Sequence, residues 1–421
     1  MKNDELALQW KGKQAAIPPP LQLLQSAAVL LQETPEQEHQ RLIQGENLGV
    51  MSALLADYAG KIDLIYADPP FLSGKSYRVR TGHGEDSRRP ESWKTAAGFQ
   101  DQWSDRADYL NMLYSRLRLM HTLLADSGTL YLHLDWHAAA YARVLLDEIF
   151  GPEHLLNEII WTYHGPSPIR SAFKRKHDTI YVYTKSKEYT FNADAVRVPY
   201  QASTVKTFSS PKAGFGKRPD LERGKVPEDW WYFPVVARLH SERTGYPTQK
   251  PEALLERIIM ASSSPGDLVA DFFCGSGTSI AVARRLGRRW LACDVSSVAI
   301  NTTRRRLLLE PEAGGFSVWV DKASQNHHVL RPRIKVTTKN LDVEARLSNL
   351  DLDALTAFEL DWDFDGRMFR SETQSVRGWQ QGRIATRLGH SYLEAGNYRV
   401  AARAVDAEGQ TGLVTERVHV G

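Results

Sequence analysis

Apolar and polar residues follow one another along residues 41–310 in a pattern that predicts strands alternating with helices. Residues 62–67 are apolar except for Asp63, which is typical of a strand buried on both faces. Similar runs over 129–134 and 289–294 are each followed by a stretch with helical spacing. This order predicts an α/β fold built on a parallel, doubly wound sheet.

Three segments depart from this pattern. Residues 1–40 contain a run of prolines and predict an N-terminal extension, with one or two helices over 21–38. Residues 75–104 are polar and predict a long loop, which either closes over a substrate or is a solvated surface loop. Residues 162–247 are rich in turns and aromatic residues and predict an irregular region.

The end of the chain has the period-two alternation of strands. Residues 398–405 and 413–420 form two such runs joined by a turn, and they resemble the closing hairpin of an immunoglobulin-like β-sandwich. Residues 325–345 are expected to link this all-β domain to the rest. Over 342–421 there are 13 acidic and 9 basic residues, which argues against a grip on DNA.

Composition narrows the class of protein without giving a function. The net charge is only +3, too small to demonstrate a nucleic-acid partner. No apolar run approaches the roughly 18 residues of a membrane span, and the first residues lack a signal-peptide pattern. We therefore expect a cytoplasmic protein with no membrane partner. The two cysteines, Cys274 and Cys293, fit a reduced compartment and cannot build a metal cluster.

Positive charge is concentrated in the irregular region. Residues 162–247 hold 15 Lys and Arg against 8 Asp and Glu. Cations contact phosphates and aromatic side chains contact bases, so we favour nucleic-acid contact over a solvated basic face. The candidate contacts are Lys174, Arg175, Lys176, Lys217 and Arg218.

The apolar run at 62–67 ends at Asp68, which two prolines and Phe71 follow. Pro69 and Pro70 cannot extend a strand, and a following proline holds Asp68 in an extended conformation. Ligands of open α/β sheets bind at the carboxyl ends of strands. A carboxylate, free carbonyl groups and a flat ring suit a planar base with an amino group. The alternative is a strand that merely runs into a Pro-Pro turn.

A second stretch has the features of a cofactor site. Asp271 ends a predicted strand, and a turn containing Gly275 and Gly277 leads into a helix. The glycines let the backbone approach a ligand at the helix N-terminus. Asp294 ends the next strand, where an acid suits ribose hydroxyls. The spacing differs from dinucleotide and P-loop motifs, so we predict another adenosine-containing cofactor.

His133, Asp135 and His137 are spaced like a set of metal ligands. Alternation would put all three on one face of a strand, which does not suit the exit from a buried sheet into a loop. We therefore disfavour a metal site. Asp135 is then a carboxylate at the end of a strand, with no assigned role.

These stretches together resemble the DNA amino-methyltransferases, which use S-adenosyl-L-methionine. Asp68-Pro69-Pro70-Phe71 matches their catalytic motif of Asp, Asn or Ser, two prolines and an aromatic residue. Asp271 to Thr278 is similar to their cofactor motif, with Phe272 in place of the common proline, and Thr-Gln-Lys250-Pro resembles the motif before the cofactor strand. The catalytic motif comes first, an order similar to the permuted beta class.

The resemblance implies a Rossmann-like methyltransferase sheet in permuted motif order. Its catalytic half would cover 41–161, its target-recognition region 162–247 and its cofactor half 248–324. The linker and the β-sandwich-like domain would follow over 325–421.

The resemblance also implies a role for each site residue. Asp68 and the carbonyl of Pro69 would hold the amino group of a base flipped out of double-stranded DNA, and Phe71 would stack on that base. Lys250 would lie near the methionine end of the cofactor, and Asp294 would bind its ribose. The other implied cofactor contacts are Asp271, Phe272, Gly275, Ser276, Gly277 and Thr278.

In the family that these motifs resemble, an Asp at the first motif position implies N6 of adenine rather than N4 of cytosine as the target. Methylation of cytosine or of RNA, and a catalytically silent DNA-binding module, are the alternatives. A homodimer and a separate restriction endonuclease are partners that the resemblance leaves open.

Overall fold

The computed structural model describes residues 7–13, 18–30, 39–81, 94–209, 219–237, 240–310, 314–324, 329–379 and 383–421. A central sheet of eleven strands organises the molecule. Ten of its strands lie before residue 325: β1 (Leu23–Val29), β2 (Arg41–Gln44), β3 (Ile62–Ala67), β6 (Leu124–Leu134), β7 (Leu155–Thr162), β8 (His177–Thr184), β9 (Trp230–Tyr232), β10 (Leu268–Asp271), β11 (Arg289–Asp294) and β12 (Phe316–Asp321).

The middle of this sheet is parallel, as predicted, but the sheet as a whole is mixed. Strands β12, β2, β11, β10, β3 and β6 are neighbours in this order, and all of them run in one direction. On one side β8 is antiparallel to β6, and on the other β1 is antiparallel to β12. The fully parallel prediction is therefore wrong at the edges.

Seven α-helices occur in the described part of the chain: α1 (Asn47–Tyr58), α2 (Arg106–Leu123), α3 (Ala139–Phe150), α4 (Ala202–Phe208), α5 (Glu252–Ser262), α6 (Thr278–Arg285) and α7 (Ser297–Leu309). Residues of α1, α2 and α3 share a core with Ile65, whereas residues of α5 and α6 pack with Leu64 on the opposite face of β3. Helices therefore cover both faces of the sheet, as predicted. No described helix combines the length and apolar character needed to cross a membrane.

Two predictions for individual segments are wrong. The helix expected within 21–38 is in part the strand β1, because these residues pair with β12 at a sheet edge. The loop expected over 75–104 contains a hairpin of β4 (Lys75–Thr81) and β5 (Lys94–Asp101). Strand β1 forms because pairing with a distant strand outweighs local preference, which a single sequence does not reveal. The polar strands β4 and β5 show too little alternation to be predicted from the sequence.

The region over 162–247, predicted to be irregular, contains regular elements, and the strand expected over 177–184 is confirmed as β8. Strand β8 falls inside 162–247, yet it lies in the central sheet between β6 and β7. The short strand β9 adds to β7. One loop of the region joins β7 to β8, and the described residues between β8 and β9 include the short helix α4.

The C-terminal part forms two small sheets around one core that includes Phe358 and Val400. Its strands are β13 (Arg333–Lys339), β14 (Asp342–Ser348), β15 (Leu355–Asp361), β16 (Phe369–Ser371), β17 (Thr373–Val376), β18 (Arg387–Ser391), β19 (Gly396–Asp406) and β20 (Thr411–Val420). The predicted closing hairpin is confirmed as β19 and β20. The linker predicted over 325–345 is wrong, since β13 and most of β14 lie there. Strand β16 pairs with β1 and joins the central sheet.

Candidate active site

The predicted site residues meet at one edge of the central sheet. Strands β3, β10 and β11 are parallel neighbours, so their carboxyl ends lie side by side. Asp68 directly follows β3, whereas Asp271 and Asp294 are the last residues of β10 and β11. The two motifs, about 200 residues apart in sequence, are therefore brought together by the sheet.

The carboxylate of Asp68 has one occupied and one free oxygen. Its Oδ2 forms an ion pair with the ammonium group of Lys250, whose side chain is almost fully buried. Its Oδ1 is buried and has no hydrogen-bond partner among the residues that the structure describes. The sequence predicted Lys250 near the methionine end of a cofactor, and the structure brings it onto Asp68 and 5.2 Å from the centre of the Phe71 ring.

The backbone after the two prolines is held by Asp101, which the sequence reasoning missed. Its buried carboxylate accepts hydrogen bonds from the backbone N–H groups of Phe71 (3.1 Å), Leu72 (2.9 Å) and Ser73 (2.7 Å). The indole of Trp103 donates a further bond of 2.9 Å to the same carboxylate. Leu72 has φ +65°, a left-handed conformation that needs such support in a non-glycine residue. An acid two residues before a Trp was the only sequence signal.

A buried polar network lies beneath Phe71. The ring of His133 stacks on Phe71 with 5.8 Å between ring centres, and its Nδ1 lies 2.8 Å from the Tyr66 hydroxyl. Its Nε2 lies 3.2 Å from Asp178, which also accepts a hydrogen bond of 3.0 Å from Tyr163. Burial alone would raise the pKa of Asp178, but the hydrogen bonds and the charge of nearby Lys250 outweigh it and lower that pKa.

His133 is therefore a packing and hydrogen-bonding residue of this network. Asp135 accepts hydrogen bonds from the backbone N–H and the ring Nδ1 of His137, at 2.9 and 2.7 Å. Across the described ranges, no three His, Cys, Asp or Glu side chains form a group that could hold a metal ion.

Asp271 supports the glycine turn from inside the protein. Its carboxylate accepts hydrogen bonds from the backbone N–H of Phe273, at 2.9 Å, and from the hydroxyl of Ser279. Burial raises the pKa of Asp271 to about 7. The neighbouring Phe272 is fully buried, and its carbonyl accepts a bond of 2.8 Å from the amide of Asn47.

Asp294 closes the other side of the turn. It accepts hydrogen bonds from the backbone N–H groups of Gly275 (3.0 Å) and Ser296 (2.9 Å), and burial raises its pKa. A Cβ atom on Gly275 would lie 3.1 Å from the ring of Tyr246. The turn and Tyr246 thus form closely spaced walls.

Two residues of α7 hold the turn, and neither was predicted. The hydroxyl of Thr303 donates a bond of 3.1 Å to the carbonyl of Gly275, and Arg306 donates one of 3.1 Å to the carbonyl of Ser276. Arg306 also donates to the hydroxyl of Thr278 at 2.9 Å. The turn therefore depends on a helix that begins just after Asp294.

One continuous cavity joins these groups, with about 1220 Å³ of empty space including its open mouth. The space within it that a ligand could occupy, about 330 Å³, falls in the range of small-molecule cofactor sites. The predicted site residues that line it are Asp68, Pro70, Lys250, Asp271, Phe272, Gly275, Ser276, Thr278 and Asp294. Phe99 and Gln100 of β5 also line it, so the hairpin forms part of its wall.

Those predicted nucleic-acid contacts that the structure describes do not line this cavity. Lys174 and Arg175 are exposed, and the guanidinium of Arg175 sits 4.0 Å from the centre of the Trp136 ring. Lys176 donates a hydrogen bond of 2.9 Å to the carbonyl of Pro166. Lys217 and Arg218 lie outside the described residues.

Comparison with known proteins gives consistent matches. A family model described as DNA methylase matches residues 62–305, more than half of the chain. The chain is 29% identical over 326 residues to the DNA adenine methyltransferase YhdJ of Escherichia coli K12, covering 76% of this chain and 96% of that protein. It is 30% identical over 256 residues to the type II methyltransferase M.HpaI of Haemophilus parainfluenzae, covering 61% and 70%. The solved M1.HpyAVI–SAM complex aligns with a TM-score of 0.40 and 19% identity, covering 63% of this chain and 98% of that one.

Proposed function

Because this chain belongs to the N6/N4 DNA methylase family, we propose that it transfers a methyl group from S-adenosyl-L-methionine to N6 of adenine in double-stranded DNA. The observation that carries this proposal is the single cavity lined both by Asp68 and by Asp271 and Asp294. The name of the Escherichia coli relative, a DNA adenine methyltransferase, and the Asp at the first motif position support adenine. The type II name of the Haemophilus relative supports a site-specific enzyme with a separate restriction endonuclease as partner.

The free oxygen of Asp68 is proposed to accept a hydrogen bond from one N–H of the target amino group. It is a buried acceptor without a partner among the described residues, which is costly unless a ligand donates to it. The carbonyl of Pro69 would accept a hydrogen bond from the second N–H of that amino group, and Phe71 would stack on the base. Two acceptors in fixed positions orient the nitrogen lone pair, so catalysis rests on positioning and electrostatics and needs no covalent intermediate.

The residues of the cofactor side fit a nucleoside-containing ligand. S-adenosyl-L-methionine supplies an electrophilic sulfonium methyl group when bound. Each carboxylate oxygen of Asp294 accepts one hydrogen bond from a backbone N–H. The remaining lone pairs can accept hydrogen bonds from ribose hydroxyls. The glycine turn presents backbone without side chains next to Tyr246.

In this scheme Lys250 supplies a positive charge and takes no part in proton or methyl transfer. Its ammonium group neutralises Asp68 through one oxygen and leaves the other for the base. The residue is therefore proposed to orient the catalytic carboxylate.

The test is methyl transfer from radiolabelled S-adenosyl-L-methionine to unmethylated bacterial genomic DNA, with the modified nucleoside identified by mass spectrometry. We expect N6-methyladenine from the wild type and a loss of at least about a hundredfold in Asp68→Ala, since both the hydrogen bond and the charge are removed. Asp126→Ala, at a side chain that is 95% exposed, is the matched control and should retain activity. N4-methylcytosine would correct the base, and no transfer to DNA would refute the proposal.

A further inference from the structure

The loop between β7 and β8, residues 163–176, combines positive charge with an unusually exposed aromatic side chain. It holds four cations, Arg170, Lys174, Arg175 and Lys176, and no Asp or Glu. The side chain of Phe173, beside three of these cations, is 99% exposed. A single exposed apolar residue is common on protein surfaces, so its position and surroundings must decide whether it has a function.

The loop leaves the sheet at the catalytic edge. Strand β6 is parallel to β3, and β7 and β6 are both antiparallel to β8. Strand β7 therefore runs in the same direction as β3, and its carboxyl end lies at the same edge as Asp68. The loop begins at this end.

Contacts connect the first residue of the loop to the active site. Tyr163 donates a hydrogen bond of 3.0 Å to Asp178, which lies 3.2 Å from His133, whose ring stacks on Phe71. The loop thus starts on the network beneath the proposed base-stacking ring.

The returning arm of the loop is held as well. Arg175 stacks on Trp136 at 4.0 Å from the ring centre, and Lys176 bonds to the carbonyl of Pro166 at 2.9 Å. Phe173 lies two residues before Arg175 in sequence, and its ring is exposed to solvent. A ring presented in this way has apolar surface available for a partner that stacks.

We infer that Phe173 enters the base stack of the DNA duplex when the target base leaves it. This inference rests on the proposed function, because a base must leave the stack to reach Asp68. Cations on the same loop would hold the phosphates, and an apolar wedge would replace the lost stacking of the flipped base. The ring of Phe173 acts on the base-pair opening step and touches no reacting atom.

The test compares two short duplexes that carry the recognition site mapped from wild-type products. In one the target base is correctly paired, and in the other it faces an abasic position. Phe173→Ala should lower kcat/KM on the paired duplex by about tenfold or more, the scale of one base–aromatic stack, and change it less than about twofold on the unpaired duplex. Phe173→Trp should retain activity on both.

Leu393→Ala is the matched control, because Leu393 is 96% exposed but lies in the C-terminal domain. It should leave both rates unchanged. Equal losses on the two duplexes, or no loss on either, would overturn the role of Phe173 while leaving the methyltransferase function intact. Absence of DNA methylation by the wild type would instead refute the proposed function and this inference with it.

Discussion

At the scale of single residues, the carboxylate of Asp101 holds the backbone of the proposed active site. It accepts hydrogen bonds from three consecutive backbone N–H groups directly after the Asp-Pro-Pro motif. These donors would otherwise point into a buried environment, where an unsatisfied donor costs about 1–3 kcal/mol. Asp101 therefore fixes the backbone position of Phe71. It thereby also fixes the position of the ring proposed to stack on the base.

Asp101→Asn tests this role with almost no change in size. The amide keeps one acceptor oxygen but turns an NH2 group toward backbone donors, so we expect about 1–3 kcal/mol lower stability and a kcat reduced by about tenfold. The affinity for S-adenosyl-L-methionine should change little, because the glycine turn is not touched. Chemical denaturation, steady-state kinetics and calorimetric titration measure these three quantities.

Asp105→Asn is the control for that substitution. Asp105 caps α2 by accepting a bond of 2.8 Å from the backbone N–H of Asp108, and Asn caps helices about as well as Asp. If the two variants behave alike, the role assigned to Asp101 is wrong.

The sequence predicts site residues correctly where they belong to a short local motif. Asp68, Asp271 and Asp294 were predicted because each ends an apolar run, and the structure brings them to one cavity. Asp101 and Thr303 were missed because their partners are backbone groups of distant segments. Nothing in a local pattern marks an acid that will accept bonds from a loop about 30 residues away.

At the scale of elements, the turn between β10 and α6 depends on α7. Gly277 has φ +70°, and a Cβ atom there would lie 2.6 Å from the side chain of Thr303. Thr303 is fully buried and bonds to the carbonyl of Gly275, so it cannot move aside cheaply. The glycine is therefore required by its contact as well as by its backbone conformation.

Gly277→Ala and Gly60→Ala separate these two requirements. Gly60 has φ +69°, and no atom lies within 4 Å of the place a Cβ atom would take. Both variants therefore carry the strain of a left-handed alanine, about 1–2 kcal/mol. Only the Cβ atom of Gly277→Ala would also clash with Thr303. We expect Gly277→Ala to lose more stability and to weaken S-adenosyl-L-methionine binding by at least about tenfold. Thermal unfolding and calorimetric titration give both values, and equal losses in the two variants would contradict the contact.

Elements were predicted well where periodicity and burial agree, and poorly at the borders of the sheet. The hydrophobic spacing predicts helices over 105–125, 252–262 and 296–309, and α2, α5 and α7 match these spans within a few residues. The sequence predicts a helix where β1 lies, but pairing with β12, some 290 residues later, decides the conformation of these residues. The hairpin of β4 and β5 is missed for a different reason: its strands are neighbours in sequence, but polar strands at a surface show little alternation.

At the scale of the whole molecule, the C-terminal domain is built into the methyltransferase domain. The fully buried Glu359 of β15 forms ion pairs with Arg304 of α7 and with Arg403 of β19. On the same helix, Arg305 donates to the carbonyls of Arg377 and Gly378 at 2.7 and 2.8 Å. Helix α7 therefore holds the glycine turn on one side and the C-terminal domain on the other.

Glu359→Gln tests whether these two domains share their stability. The substitution leaves two buried guanidinium groups without a countercharge, a change that costs about 3–5 kcal/mol. Glu344→Gln, at an exposed glutamate of the same domain, should change stability by less than about 1 kcal/mol. Chemical denaturation at neutral pH, followed both by circular dichroism and by loss of cofactor binding, should show the two signals falling together. Independent transitions would mean that the domains are separable.

The pH dependence of the same pair of proteins gives a second check. Burial would raise the pKa of Glu359, but the two guanidinium groups outweigh it and lower that pKa to about 2. A lowered acid pKa stabilises the folded state above the ordinary value of 4.5, and this contribution is lost as the pH falls toward about 2. The stability difference between wild type and Glu359→Gln should therefore be constant above pH 4.5 and shrink below it. A difference that grows in acid would show that the ion pairs do not hold the domain in place.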